Sequence, residues 1–397
     1  MKTERRLRPS HPGARADRPG KLHVALVGLR FGAEFIPIYL KHPDVAALTI
    51  CDTNPSVLAE FGDKFEVRRR LPSLETVLAS GEIDAVHLVT PVTQHASQSI
   101  AVLERGKHCA CTIPMGMSLD ELRAVIAAQR RSGKNYMMME TAVYTRPYFF
   151  VRDLHARGGF GTITFVRGAH LQDMEGWPAY WKGFPPILHI THALSPCLAL
   201  LNTRATRVHC FGSGTLRTEL RGAYGNSFPF ETAIFRLENT DVSAEVSRFM
   251  FQTARPYSES FAIYGDQRGF EWQQLEEEKP LLFTLQPVTG KRGRPIVSER
   301  IDMPDRPDLL PPAIARFTRK GVYDETKPHL SFLQGGGHGG SHPHLAHEFV
   351  RSIVEQRSPA IDEITAANWT AAGICAHASA MSDGTAVEIP AFTSDPA

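Results

Sequence analysis

The chain has 397 residues, 42% apolar and 22% charged, and its 44 basic and 42 acidic side chains leave a formal net charge of +2. That balance excludes the strong basic field that recruits nucleic acid or an anionic membrane, and no apolar run reaches the roughly 18 residues that span a bilayer. The length allows two domains and a well-buried core.

Residues 1–20 are rich in Arg, Pro and Gly without an apolar period, and read as a disordered arm. Arg5-Arg6 resembles the start of an export signal, but the next apolar run belongs to a strand and carries no small-residue cleavage site, so a cytoplasmic location is expected. Six cysteines in so long a chain do not make a disulfide framework.

From Leu22 to Asp52 the order is strand, tight turn, helix, strand: an apolar β-branched run to Val27, small residues from Gly28 to Ala33, helical spacing over Glu34 to Lys41, and a second apolar run closing on Asp52. A dinucleotide fold places a ribose-binding carboxylate where Asp52 stands and rests the pyrophosphate on the helix N-terminus. Against G-x-G-x-x-G/A the turn reads Gly28, Leu29, Arg30, Phe31, Gly32, Ala33, so an arginine replaces the second glycine. The alternation continues through a helix capped at Ser73, a strand over Asp84 to Thr90, a helix after Pro91, a strand over His108 to Pro114, a helix with a capping box at Ser118 and Glu121, and a strand ending at Glu140. Such alternation means a doubly wound parallel Rossmann sheet whose ligands sit at the carboxyl ends of its strands. Candidate contacts to a dinucleotide are therefore Gly28, Leu29, Arg30, Phe31, Asp52, Thr90, Pro91, His95, Thr112, Pro114 and Glu140. Cys109 and Cys111 share one face of a strand and read as buried thiols.

After Pro147 the texture changes. A helix, alternating runs, a Trp- and Tyr-rich segment from Gly176 to Pro186 and the helical segment HITHALSPCLALL predict a second α/β domain with an open, largely antiparallel sheet. Glu277 to Gln334 is charged and Pro-rich, and reads as long loops. A Gly/His loop around His338 and two helices close the chain. The division expected is 1–20 arm, 21–147 dinucleotide domain, and 148–397 substrate-binding and oligomerisation domain.

VALVGLRFGAEF, Cys51-Asp52, DAVHLVTPVTQHA, GKHCACTIPMGMSLDEL and SAMSDGTAVEIP together resemble the Gfo/Idh/MocA oxidoreductases from about Lys21 to Phe392. The resemblance implies NAD as cofactor, a small sugar or glycoside as substrate, and a homo-oligomer, either dimer or tetramer. Most members carry Glu-Lys-Pro where this chain has Thr112-Ile113-Pro114. The branch acting as NAD-dependent glycosidases also lacks that lysine and is similar at METAVYTRP, HITHALSP and GGHGGS. Carried over, the likeness gives His192 a catalytic role and Tyr144, His189 and His338 roles in the site.

The chemistry implied is oxidation of a ring hydroxyl, elimination of the aglycone, addition of water and return of the hydride. It needs groups that exchange protons near the working pH, for which His192 and Tyr144 are the candidates, with His189 or Lys182 in support. His189 and His192, three apart, share one face if the segment is helical. Trp177, Tyr180 and Trp181 offer rings for a pyranose face, and His170 is grouped with them. Arg146, Arg167 and Lys182 offer a pocket for an anionic sugar. His338, His342, His344 and His347 crowd one segment, but no Cys, Asp or Glu stands at matching spacing, so no metal is expected. Asp52 disfavours a 2′-phosphate and so favours NAD over NADP. A plain sugar or cyclitol dehydrogenase and a non-catalytic NAD-binding sensor stay open as alternatives.

Overall fold

The computed structural model describes residues 21–290, 292–319 and 338–394. The arm over 1–20 and residues 335–337 of the Gly/His loop lie outside them.

The first layer is built from β1 (Leu22–Val27), α1 (Ile36–Lys41), β2 (Val45–Cys51), α2 (Pro55–Lys64), β3 (Arg70–Leu71), α3 (Leu74–Ala79), β4 (Ala85–Leu88), α4 (His95–Glu104), β5 (His108–Cys111), α5 (Leu119–Ser132) and β6 (Tyr136–Met138). The strands pair in parallel in the order β3-β2-β1-β4-β5-β6, the reversal at β1 and β4 marking the crevice where a ligand lies. β4, β5 and β6 are buried residue by residue apart from His108, as strands covered on both faces must be. The Ser73 and Ser118 hydroxyls accept from the amides of Thr76 and Glu121, capping α3 and α5. The Glu121 carboxylate, however, accepts from Met117 N at 2.6 Å rather than from the cap residue's own amide.

The turn after β1 is set by Gly28, whose φ is +90°. A Cβ there would stand 2.1 Å from the carbonyl oxygen of Val89, so the crossing of β1 and β4 admits only glycine. The helix expected from Glu34 is divided. Gly32–Phe35 forms a 3₁₀ turn and α1 begins only at Ile36, because Pro37 has no amide to give to Ala33 and the chain tightens before it.

The second layer contains α6 (Arg146–Ala156), β7 (Ile163–Leu171), α7 (Thr191–Leu201), β8 (Ala205–Ser213), β9 (Phe230–Leu237), β10 (Ser243–Phe249), β11 (Ser258–Gly265), β12 (Arg268–Glu271), β13 (Leu281–Leu285) and β14 (Ile296–Arg300). It is completed by α8 (Pro312–Ala315), α9 (His342–Val354), α10 (Glu363–Ala380) and β15 (Val387–Glu388). The order is β14-β13-β12-β11-β7-β10-β9-β8-β15, antiparallel except where β7 meets β10. β13 and β14 correct the reading of Glu277 to Gln334 as loops. Pro280, Pro287 and Pro295 flank and separate two short strands, and β14 is an exposed edge whose apolar signal is limited to Ile296 and Val297.

One hydrophobic core runs from Ala25 and Val86 under the first sheet to Val166, Val246 and Phe270 in the second. α9 returns to the first layer, where Leu345, Phe349 and Val350 are buried with Val24 and Leu26. Among the described residues no helix is long and apolar enough to cross a membrane.

Helix α7 lies directly on β7 because position 168 has no side chain: a Cβ on Gly168 would be 2.0 Å from the carbonyl oxygen of Ala193. Gly168→Val should push α7 off the sheet and cost about 1–3 kcal/mol of stability, read as a lower denaturant midpoint in equilibrium unfolding.

Candidate active site

Period-two alternation decides what the inner face of the second sheet carries. In β10, Ala244, Val246 and Arg248 point inward; in β7, Val166, Gly168 and His170; in β9, Glu231, Ala233 and Phe235; in β11, Glu259, Phe261 and Ile263. The pairing aligns the polar members of these sets. Arg248 stands opposite Glu231 on one side and His170 on the other, and His170 stands opposite Glu259. One transverse rung of the sheet thus reads Glu231, Arg248, His170, Glu259, every side chain buried.

Facing this rung is His192, in the first turn of α7. Its Nδ1 lies 2.6 Å from Oε1 of Glu140, the fully buried residue that follows β6, and 3.3 Å from Thr141 Oγ1. Its Nε2 faces Glu259 Oε1 at 3.5 Å. Burial opposes charge on this imidazole, but Glu140 and Glu259 outweigh it and raise the pKa to about 9. Glu259 Oε1 also accepts the Tyr257 hydroxyl and lies 3.6 Å from His338 Nε2. Burial and Glu259 raise the pKa of that hydroxyl. Burial, with His342 and His192 nearby, holds His338 down to about 3. The same effect drives His170 and His189 well below the ordinary imidazole range, with Arg248 and His192 adding to it.

Tyr257, Glu259 and His338 line a cavity of about 820 Å³, together with Phe31 and Glu34 from the turn after β1, Trp177 and Trp272. Phe31 meets the ring of His338 edge-on at 5.5 Å, and Glu34 Oε2 lies 2.9 Å from His342 Nδ1. The phosphate-binding turn and the histidine site therefore share one opening.

Several expected site residues are brought together here: His192, His170, His338, Glu140 and, on the rim, Trp177. His189 joins them by a different route. It ends a 3₁₀ turn, Pro186–His189, before α7 starts at Thr191, yet its ring lies 5.3 Å from that of His192. Trp181 is buried, edge-on to His189 at 5.3 Å, with Tyr180 against its far side. Tyr144 is not in the group. Its ring packs on Phe149, and its hydroxyl is buried where it feels the charges of Glu348 and Arg357. Lys182 is exposed. Arg146 lines the cavity, where it is paired with Asp305 and the Thr318 carbonyl; Arg167 is paired with Glu245 and does not line that cavity, so the expected pocket of all three cations does not assemble. The four clustered histidines diverge: His342 goes to Glu34, His344 to Phe149, His347 to His42, and only His338 to the site. Among the described residues no three His, Cys, Asp or Glu are placed to hold a metal ion.

Compared with known proteins, residues 22–140 match the family model described as an oxidoreductase family with an NAD-binding Rossmann fold. Over that first layer the chain is similar to the NAD-binding domain of the Gfo/Idh/MocA oxidoreductases. It is similar to proteins named glycosyl hydrolase family 109: 32% identical over 130 residues to one from Phocaeicola vulgatus, covering 30% of this chain and 28% of that one. One from Shewanella pealeana is 26% identical over 65% of this chain and 64% of its own, so the chain spans less than two thirds of either relative. A Streptomyces niveus protein of the same name is 24% identical over 96% of this chain and 79% of its own length. Among solved structures, levoglucosan dehydrogenase in complex with NADH and levoglucosan superposes with a TM-score of 0.73 at 18% identity, covering 93% of this chain and all of that one, a likeness of fold.

The turn after β1 suits a dinucleotide. Gly28 supplies the backbone conformation, and Asp52 is held at the strand end by the amides of Leu29 at 2.9 Å and Asn54 at 2.8 Å. Arg30 and Phe31 are exposed on the turn. His95 ties the next strand ends together, its Nδ1 on the Pro114 carbonyl at 2.8 Å and its Nε2 on the Thr90 carbonyl at 2.9 Å, with Thr112 Oγ1 at 3.2 Å. Carbonyls on both ring nitrogens favour the imidazolium. Burial opposes it, but Cys111 and these carbonyls bring the pKa up to about 9.

Glu140→Gln should return the pKa of His192 from about 9 toward the ordinary value near 6.5, followed by NMR titration of the imidazole. Because the folded pKa is the raised one, the stability contributed by this proton is complete below about pH 6.5 and is lost as the pH rises through about 9. The difference in unfolding free energy between wild type and Glu140→Gln should shrink over that window.

Proposed function

We propose that this oxidoreductase acts on a glycoside as an NAD-dependent, redox-assisted glycosidase. The reading rests on the Glu140–His192 pair standing behind a cavity walled by Glu259, Tyr257 and His338, in a chain that aligns over 96% of its length with a protein named for glycosyl hydrolysis. Bound NAD⁺ supplies a hydride acceptor that can give the hydride back.

His192 takes the proton of the sugar hydroxyl being oxidised, through Nε2, while Glu140 fixes the Nδ1 side and so the direction of the ring. The ketone formed on the sugar acidifies the neighbouring C–H. Glu259, on the cavity wall, removes that proton, and the aglycone departs by elimination. Tyr257 and His338 flank Glu259 and meet the same face of the sugar. The absence of the usual lysine fits this assignment: Ile113 is buried and supplies no proton. Trp177, half exposed on the rim, offers its ring to the pyranose. We place self-association on the outer face of the nine-stranded sheet, where Phe211 and Ile234 are exposed.

With nitrophenyl glycosides of both anomers, aglycone should be released without stoichiometric NADH, and a reaction in deuterium oxide should leave deuterium on the carbon next to the oxidised one. NADH accumulating in step with product identifies a dehydrogenase instead. His192→Ala should lower kcat by roughly 10²–10⁴-fold; unchanged turnover removes His192 from the chemistry. Since the proton acceptor must be neutral, kcat should climb with pH toward about 9, and in Glu140→Gln the climb should finish at lower pH.

A further inference from the structure

The rung behind the cavity contains a cation that nothing above uses. Arg248 is fully buried, and its guanidinium forms no ion pair with a described carboxylate. One nitrogen, Nη1, donates to the carbonyls of Phe249 and His170. Nε and Nη2 have no hydrogen-bond partner among the described residues. Those two N–H groups form one edge of the guanidinium plane, the edge that grips a carboxylate with two parallel hydrogen bonds.

The neighbouring carboxylates do not answer it. Glu231, opposite Arg248 in register, is committed to His377 Nδ1 at 2.7 Å and the amide of Ile187 at 2.8 Å. Glu259 is near enough for its charge to favour the guanidinium, but its described hydrogen bond and close contacts go to Tyr257 and the histidines. The groups around the guanidinium are likewise without partners: both ring nitrogens of His170, Nδ1 of His189 and the indole N–H of Trp181. His170 and His189 are held neutral by burial, so each presents one N–H. Each neutral ring also carries one acceptor nitrogen, but the N–H groups of Arg248 Nε and Nη2 and of Trp181 outnumber these, and a buried excess of donors is costly unless an acceptor arrives with the ligand.

We propose that Arg248, with His170 and His189 beside it, is a subsite for a carboxylate on the sugar, making the substrate a glycoside of a hexuronic acid. The inference rests on the glycosidase reading for the reaction but not for the binding. While His192 is protonated, Arg248 and His192 offset Glu140 and Glu259; when His192 is neutral, as the oxidation requires, Arg248 alone answers the anion. Arg248, His170 and His189 stand behind the lining formed by Glu259 and Tyr257, so those two side chains must part for the carboxylate to reach the rung. Of the cations that the sequence offers for this purpose, Arg146 lines the cavity but is paired with Asp305, Arg167 is paired with Glu245, and Lys182 is exposed.

The test is equilibrium binding to the NAD-loaded protein by calorimetry, D-glucuronate against D-glucose, together with the ratio of kcat/KM for nitrophenyl glucuronides and glucosides. Wild type should favour the acid in both, and Arg248→Met should cut the preference by at least about tenfold, the worth of a charge-assisted pair. Arg248→Lys keeps the charge without the planar edge and should keep part of the preference; it stands in if Arg248→Met does not fold. Equal binding of acid and neutral sugar by wild type overturns the proposal, as does an Arg248 variant that folds and weakens both sugars by the same factor. Discrimination in binding without release of any aglycone keeps the subsite and rejects the glycosidase reading.

Discussion

Everything at the centre of this molecule depends on one short contact between two layers that the chain builds separately. Glu140 stands two residues beyond the last strand of the parallel sheet, His192 lies in the first turn of the helix on the antiparallel one, and 2.6 Å separates them. A carboxylate with no exposure is tolerated only beside a cation or several donors, and an imidazole so deep is charged only beside a carboxylate. Each makes the other possible. The layers are thereby locked at a single relative position, with Nε2 aimed at Glu259 and the wall of the cavity.

Much of the first layer was legible because its signals are local. Gly28, Asp52, Ser73 and Ser118 each announce a turn, a strand end or a cap within a few residues, and the six-stranded order follows from strict alternation. His192 was legible through the family motif. The rung was not read, although its signal was there. Glu231, Arg248 and Glu259 fall on the same parity as the buried apolar residues of their own strands, which is where a charged side chain is expensive. Period two says that each points inward, but only register says that they meet His170, and register between strands distant in sequence has no local mark. Tyr144 failed for a related reason: a tyrosine in a 3₁₀ turn can face either layer, and this one faces Phe149 while Tyr257 takes the place beside Glu259.

The cationic pocket shows the difference between charge counted and charge available. Arg146, on the cavity wall, and Arg167, away from it, are each already paired, with Asp305 and Glu245. Arg248 counts the same in composition, yet it is the cation whose side-on edge has no described partner. Availability is a property of the pairing around a side chain, visible only once neighbours are placed.

The path of α9 has a consequence for how the cleft can move. This helix starts at His342, clasped to Glu34 of the dinucleotide turn, follows directly on His338 of the cavity wall, and buries Leu345 and Phe349 under the first sheet. The polypeptide is sewn across its own crevice, so the halves have little freedom to hinge apart. A displacement of the turn after β1 is thereby handed straight to the wall of the cavity, and the reverse holds as well.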